Sequence, residues 1–405
     1  MSPGHSILAY VMISSFFSSR LFVLVAPLSA LLLAGCGPTG RSQQAPLSAP
    51  TTPVESENLT APLNESRTRI ALILPLTQAG KPSTVGQALR NAAELAVAEA
   101  GTNNVDLIIK DDLSTLDGAR QAAQAALNEG AELIVGPLYA PNVKEVSRIA
   151  RAANKPMIGF STDASTAARS SYLLSFLVEN YVDRVVDHAL ARGKKNFAAI
   201  APENDYGNVA INQFVDLANK RGLRVEIERY TPGNAGPAIQ KLAAKAAQFD
   251  ALFIPEQAEN MAAVAGLLSA NGLDGKKVQI LGTGLWNDSR VLNLPALQGA
   301  WFAAPDNAGF NAFAGRYRAR YGSDPARIAT LAYDAIALAA ALARTQGDAR
   351  YSESVLTSPT GFNGIDGLFR FTIDGLNERG LNVLEVRSGA ATPVSPAPKT
   401  FASGT

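Results

Sequence analysis

The stretch from Ala131 to Ser165 constrains the fold of this chain more than any other, because it spells one complete strand–helix–strand unit. A short apolar run, Leu133-Ile134-Val135, is stopped by Gly136-Pro137. A second run, Pro156 to Phe160, is stopped by Ser161-Thr162-Asp163. Between them Val143, Val146, Ile149 and Ala150 recur at spacings of three and four, the period of a helix with one buried face. Two strands joined through a helix lie parallel with a right-handed crossover, so both polar loops fall at the C-terminal edge of the sheet. In open α/β sheets ligands bind at that edge. The expectation is that Tyr139 to Asn142 and Ser161 to Asp163 line one side of a binding site.

The same rhythm runs through most of the chain. Strand candidates at Ile70 to Leu76 and Val105 to Ile109 alternate with helix candidates at Gln87 to Ala100 and Ala119 to Leu127. After a Ser/Thr/Ala-rich pause the series restarts, with strand candidates at Phe197 to Ala201, Arg224 to Tyr230, Ala251 to Ile254 and Val278 to Leu281. Near-continuous apolar strands separated by helices predict parallel sheets covered on both faces. The fold class expected is α/β, with two doubly wound Rossmann-like lobes and a cleft between them. Trp301 to Ala304 predicts a further strand. Phe310 to Tyr321 and Ile328 to Ala343 read as two helices with no strand between them, which suits a chain crossing back to complete the first lobe. Leu368 to Thr372 and Leu381 to Val386 resemble a closing hairpin. The predicted organisation is a first lobe of residues 68–178 and 306–356, a second of 179–305 and 357–388, and a disordered tail of 389–405.

The N-terminal 35 residues read as a signal peptide: Arg20 precedes an apolar run from Leu21 to Leu33 that ends in small residues. Leu33-Ala34-Gly35-Cys36 resembles the lipobox of bacterial lipoproteins, which implies acylation of Cys36, the single cysteine. Gly37 in place of Asp implies, on the same resemblance, the outer membrane, with the protein facing the periplasm. Residues 36–67 are rich in Pro, Ser, Thr, Gln and Asn and read as a disordered tether. A formal net charge of +1, with no Lys/Arg cluster, argues against a nucleic-acid partner.

The order of elements, and strings such as ELIVGPLYAPNVKEV, KPMIGFSTDAS, NDYGNVA, AYDAIALAAAL and GIDGLFRFTIDGLNERG, resemble the type I periplasmic binding proteins of the Leu/Ile/Val-binding group over about Arg69 to Val386. They are also similar to the penicillin-binding-protein activator lipoproteins. Both resemblances imply two lobes joined by three crossings, with the site in the cleft. The first implies a small ligand, such as an amino acid, and an ABC permease as partner. The second implies a penicillin-binding protein as partner, stimulated through protein contact. A lipid anchor joins either to the membrane.

The resemblance also implies site residues. Ser161 and Thr162 match a hydroxyl pair that holds ligand in the family; helix capping is their alternative role. Tyr139 stands in the preceding loop, where the family often has a small hydroxyl residue. Tyr206 matches a tyrosine that closes from the second lobe, with packing at a helix start as its alternative. The loop after Val278 to Leu281, carrying Gly284 and Leu285, forms the facing wall. It lacks the acidic residue with which amino-acid binders hold an ammonium group, and Glu256 from the preceding loop is the substitute candidate. Without that carboxylate a dry cleft does not easily neutralise an ammonium, which leaves apolar or anionic ligands open.

Enzymatic readings find little support. Once residues 1–35 are removed His188 is the single histidine, and it sits within a predicted helix. Gly159-Phe160-Ser161-Thr162-Asp163 lacks the last glycine of a nucleophile elbow. Gly282-Thr283-Gly284 lacks the third glycine of a dinucleotide fingerprint. No His/Cys cluster suits a transition metal, and Asp111-Asp112 reads as a turn pair. The chain is expected to be non-enzymatic, without metal or cofactor.

Overall fold

In the computed structural model, which describes residues 67–401 apart from 102, 103 and 276, the first strand, β1 (Thr68–Leu74), serves two cores at once. Ile70, Leu72 and Leu74 point into one core, Ala71 and Ile73 into the other, and all five are fully buried. Strand residues alternate between faces, so apolar side chains on both faces require helices on both sides.

A two-strand ribbon, β2 (Thr77–Gln78) and β3 (Lys81–Pro82), leads into α1 (Thr84–Ala100). The Ser83 side chain caps that helix by accepting from the Gly86 amide. Then follow β4 (Val105–Asp111), α2 (Leu116–Asn128), β5 (Leu133–Val135), α3 (Ala140–Ala152), β6 (Met157–Gly159) and β7 (Ser171–Leu173). The first sheet is parallel, in the order β4-β1-β5-β6-β7. The unit read from Ala131 to Ser165 is β5–α3–β6. Gly136 ends β5 with φ +88° and a cis peptide to Pro137. A Cβ on it would lie 2.0 Å from the Ile73 carbonyl oxygen, so the close passage beside β1 admits glycine alone.

The second lobe comprises α4 (Val178–Ala191), β8 (Asn196–Pro202), α5 (Asp205–Arg221), β9 (Arg224–Tyr230), α6 (Gly236–Ala244), β10 (Ala251–Phe253), α7 (Ala258–Ala270), β11 (Gln279–Gly282), α8 (Ser289–Leu292) and β12 (Trp301–Ala304). Alternation recurs there. Ala198 and Ile200 join the core under α6 and α7, whereas Phe197, Ala199 and Ala201 join the one under α4 and α5.

From β12 the chain returns to the first lobe as α9 (Asn307–Tyr321) and α10 (Ala329–Thr345), followed by α11 (Glu353–Leu356). Phe313, Tyr317, Ile336 and Ala339 share the core of Ile70 and Leu72. Three strands then form a small antiparallel sheet, β13 (Phe362–Gly364), β14 (Gly367–Phe371) and β15 (Asn377–Arg379). Two more, β16 (Asn382–Arg387) and β17 (Ala390–Ser395), extend the second sheet beside β12.

Three expectations for the C-terminal part need correction. Leu368 to Thr372 and Leu381 to Val386 are not a hairpin: β14 pairs with β13 and β15, while β16 pairs with β12 and β17. Residues 357–388 do not all join the second lobe. Phe369 and Phe371, two apart on one face of β14, are buried in the first lobe's core, where Phe371 meets Tyr172 at 5.1 Å. The tail from 389 is ordered through β17, and Phe401 lies 4.6 Å from the Arg370 guanidinium. The signal peptide, Cys36 and the tether up to residue 66 fall outside the described residues. Among the described residues no helix is long and apolar enough to cross a membrane.

Candidate functional site

The C-terminal edges of the two sheets face one another across a cavity of about 640 Å³. Thr162, from the loop after β6, lines it from the first lobe. Tyr206, Gly284 and Leu285 line it from the second, while Phe176, Val178 and Tyr181 come from the first crossing and the start of α4. The walls are mostly aromatic or aliphatic, with a few polar groups, as small-molecule sites generally are.

Tyr206 sits in the first turn of α5, where Asn204 caps the helix by accepting from the Gly207 amide at 2.8 Å. Its hydroxyl donates to Thr283 Oγ1 at 2.7 Å, and burial pushes the phenol pKa up. That bond fixes the ring against the loop after β11. Gly284 in that loop lies flat on Tyr181, and a Cβ there would come within 2.6 Å of the ring. Tyr181 is 8% exposed, and burial raises its phenol to about 12.

Three candidates stand off the cavity. Ser161 is buried, and its Oγ accepts from the Asp163 amide at 3.0 Å, a turn-capping role. Glu256 is 1% exposed and wholly engaged. It accepts from the Tyr230 hydroxyl, from the Gln257 amide at 2.7 Å and from Asn260 Nδ2 at 3.1 Å. Its carbonyl also accepts from Trp286 Nε1 at 3.2 Å, so it organises the wall from behind. Tyr139 precedes α3 as its N-terminal flanking residue and is not among the residues lining the cavity. The polar residues around it tie loops together: Asn142 Nδ2 donates to the buried Asp112 at 2.9 Å. Asp111 Oδ1 accepts from the amides of Leu76, Thr77 and Leu113.

Several cavity residues escaped the reading of the sequence. Two carboxylates, Glu259 and Asp288, do line the second-lobe wall, but Arg290 holds both, at 3.0 and 2.7 Å. Arg327, between α9 and α10, reaches the floor and pairs with the fully buried Asp366 at 2.5 Å. The only advance sign of an ion network here was the Arg-Ile-Ala start of a helix and a lone Asp in GIDGLF, patterns too common to single out.

The sequence from residue 67 to residue 391 matches the family model described as periplasmic binding protein. The chain belongs to the periplasmic binding protein family. Solved structures agree on the fold. A branched-chain amino acid ABC transporter periplasmic ligand-binding protein from Burkholderia xenovorans LB400 is 15% identical with a TM-score of 0.65, over 83% of this chain and 97% of that one. The branched-chain amino acid transporter substrate-binding protein of Streptococcus pneumoniae, solved with isoleucine, is 19% identical at a TM-score of 0.53, over 82% and 100%. An ABC transporter solute-binding protein from Rhodopseudomonas palustris BisB5, solved with 3,4-dihydroxy benzoic acid, is 22% identical at 0.55, over 82% and 97%. No curated protein matches the chain. The aromatic pair Tyr181 and Tyr206 stands on the second-lobe side of the cavity.

Proposed function

We propose that this chain is a non-enzymatic, solute-binding lipoprotein of the cell envelope, enclosing a small ligand between its lobes and delivering it to an ABC permease. The observation that carries the reading is the cavity itself: Thr162 from one lobe and Tyr206 from the other line a single space of about 640 Å³. That is the volume of a small-molecule site. Family membership and the solutes named for the S. pneumoniae and R. palustris structures support a small organic acid or amino acid as ligand. Acylation of Cys36, a tether and an outer-membrane position complete the proposal.

Native mass spectrometry of the chain, purified without denaturation, tests it. A co-purified small molecule that is lost in a Thr162→Ala, Tyr206→Ala double variant is the expected result. A cleft that stays empty, together with direct capture of a penicillin-binding protein, would overturn it in favour of an activator acting through protein contact.

A further inference from the structure

The floor of the cavity carries a polar arrangement separate from the one Arg290 holds on the facing wall. Arg327 is held there in a fixed plane. Its guanidinium lies 5.0 Å from the Phe310 ring, Nη2 donates to Asp366 at 2.5 Å and to the Asp306 carbonyl at 3.3 Å, and Nη1 donates to Asn307 Oδ1 at 2.7 Å. An arginine has five N–H donors, one on Nε and two on each Nη. Both Nη2 hydrogens and one on Nη1 are therefore used. Nε is enclosed without a partner, which leaves one Nη1 hydrogen on a side chain that is 28% exposed and lines the cavity.

Tyr181 lines the same cavity as Arg327, and among the described residues the Tyr181 hydroxyl has no hydrogen-bond partner. Arg379, 4.8 Å from the ring of the cavity residue Phe176, is 7% exposed, with Nη1 and Nη2 unpartnered. Against these two guanidinium groups stand Asp366, already paired with Arg327, and Asp334, whose carboxyl burial pushes up to about 7. Among the described residues Arg379 therefore has no carboxylate hydrogen-bonded to it.

An ammonium group finds no matching partner. Glu259 and Asp288 are held by Arg290. Glu179, in the first turn of α4, has one carboxylate oxygen enclosed without a partner, is pushed toward its neutral form by burial, and does not line the cavity.

We propose that Arg327 and Tyr181 form an anion-binding pair on the cleft floor, and that the ligand is an organic anion with an apolar body and no ammonium group. The inference rests on the cleft being the ligand site. The free Nη1 hydrogen and the Tyr181 hydroxyl donate to the oxyanion, while Phe176, Leu285 and Ile328 cover the apolar body. The fixed guanidinium plane costs little ordering when the anion arrives.

Isothermal titration calorimetry on the full chain with four probes tests the proposal: benzoate, 4-methylpentanoate, its neutral amide, and L-leucine. The expected result is that a carboxylate binds at least about tenfold more tightly than the amide and than leucine. Arg327→Gln should weaken the carboxylate about ten- to hundredfold while hardly changing the amide, as loss of a charge-assisted hydrogen bond predicts. Removal of Arg327 exposes Asp366, so Tyr181→Phe, which keeps the ring packing, serves as the second variant and should cost several-fold. Leucine binding more tightly than 4-methylpentanoate, or carboxylate and amide binding alike, would overturn the proposal without any variant. A co-purified ligand lacking an anionic group would overturn it and leave the cleft reading standing. An empty cleft that binds none of the four probes would overturn both.

Discussion

Arg379 donates through Nε to the carbonyl of Ser175 at 2.9 Å, which ties the third crossing between the lobes to the first. Asn377 Nδ2 reaches the same carbonyl at 3.1 Å. The guanidinium is sandwiched, 4.8 Å from the Phe176 ring and 5.6 Å from that of Phe369, and its burial lowers its pKa. Through Arg327 and its bond to the Asp306 carbonyl, the second crossing joins the same ion network. The hinge is thus a polar cluster enclosed between two apolar lobes.

Removing that side chain should be costly, because the Ser175 carbonyl loses its Nε donor and the Phe176 and Phe369 rings lose the guanidinium packed between them. Arg379→Ala is expected to destabilise the protein by about 1–3 kcal/mol, read as a lower midpoint in urea unfolding. A shift below about 1 kcal/mol would mean that the hinge does not depend on it.

Gly282 closes β11 directly against the buried Trp286. A Cβ there would lie 2.2 Å from ring atom Cδ2 and 2.3 Å from Cε3. Gly282→Ala should therefore cost about 1–3 kcal/mol through overpacking. In a Trp301→Phe background it should also shift Trp286 fluorescence, and an unchanged spectrum and midpoint would contradict the packing described.

The Tyr206–Thr283 bond joins the second-lobe aromatic to its supporting loop. A double-mutant cycle of Tyr206→Phe and Thr283→Val should give a coupling of about 1 kcal/mol in stability. Additive single effects would show that the bond contributes nothing.

His188 is 5% exposed, edge-on to Trp301 at 4.8 Å, and burial together with Arg192 and Arg184 holds its pKa at about 4. The unfolded chain takes up this proton near the ordinary value of about 6.5, the folded chain only near 4. Stability is therefore lost as pH falls through that window, by roughly 2–3 kcal/mol. His188→Phe, which keeps the edge contact, should flatten the pH dependence of the urea midpoint between pH 6.5 and 4. An unaltered slope would exclude His188 as its source.

Much of the fold was legible because it depends on local periodicity. Runs such as Ile70 to Leu74 and Leu133 to Val135 are apolar at every position, and only a strand buried on both faces accommodates that pattern. The small sheet of β13 to β15 was hidden. Phe369 and Phe371 announce a strand, but which core they enter depends on the path of a chain that had already crossed between lobes twice.

The sequence by itself determined the doubly wound alternation and the return of two consecutive helices to the first lobe. Both follow from the order of the elements, and the facing of sheet edges from the handedness of parallel crossovers. Only the tertiary structure decided which side chains face the cavity. Ser161 and Glu256 satisfied their hydrogen bonds inside their own lobes, and Arg290 took both acids on the wall. Arg327 came to the floor from a loop more than a hundred residues beyond Tyr206, because its carboxylate partner, Asp366, lies deeper still. Side-chain direction is set by where a buried polar group finds its partner, and those partners lie far away in sequence.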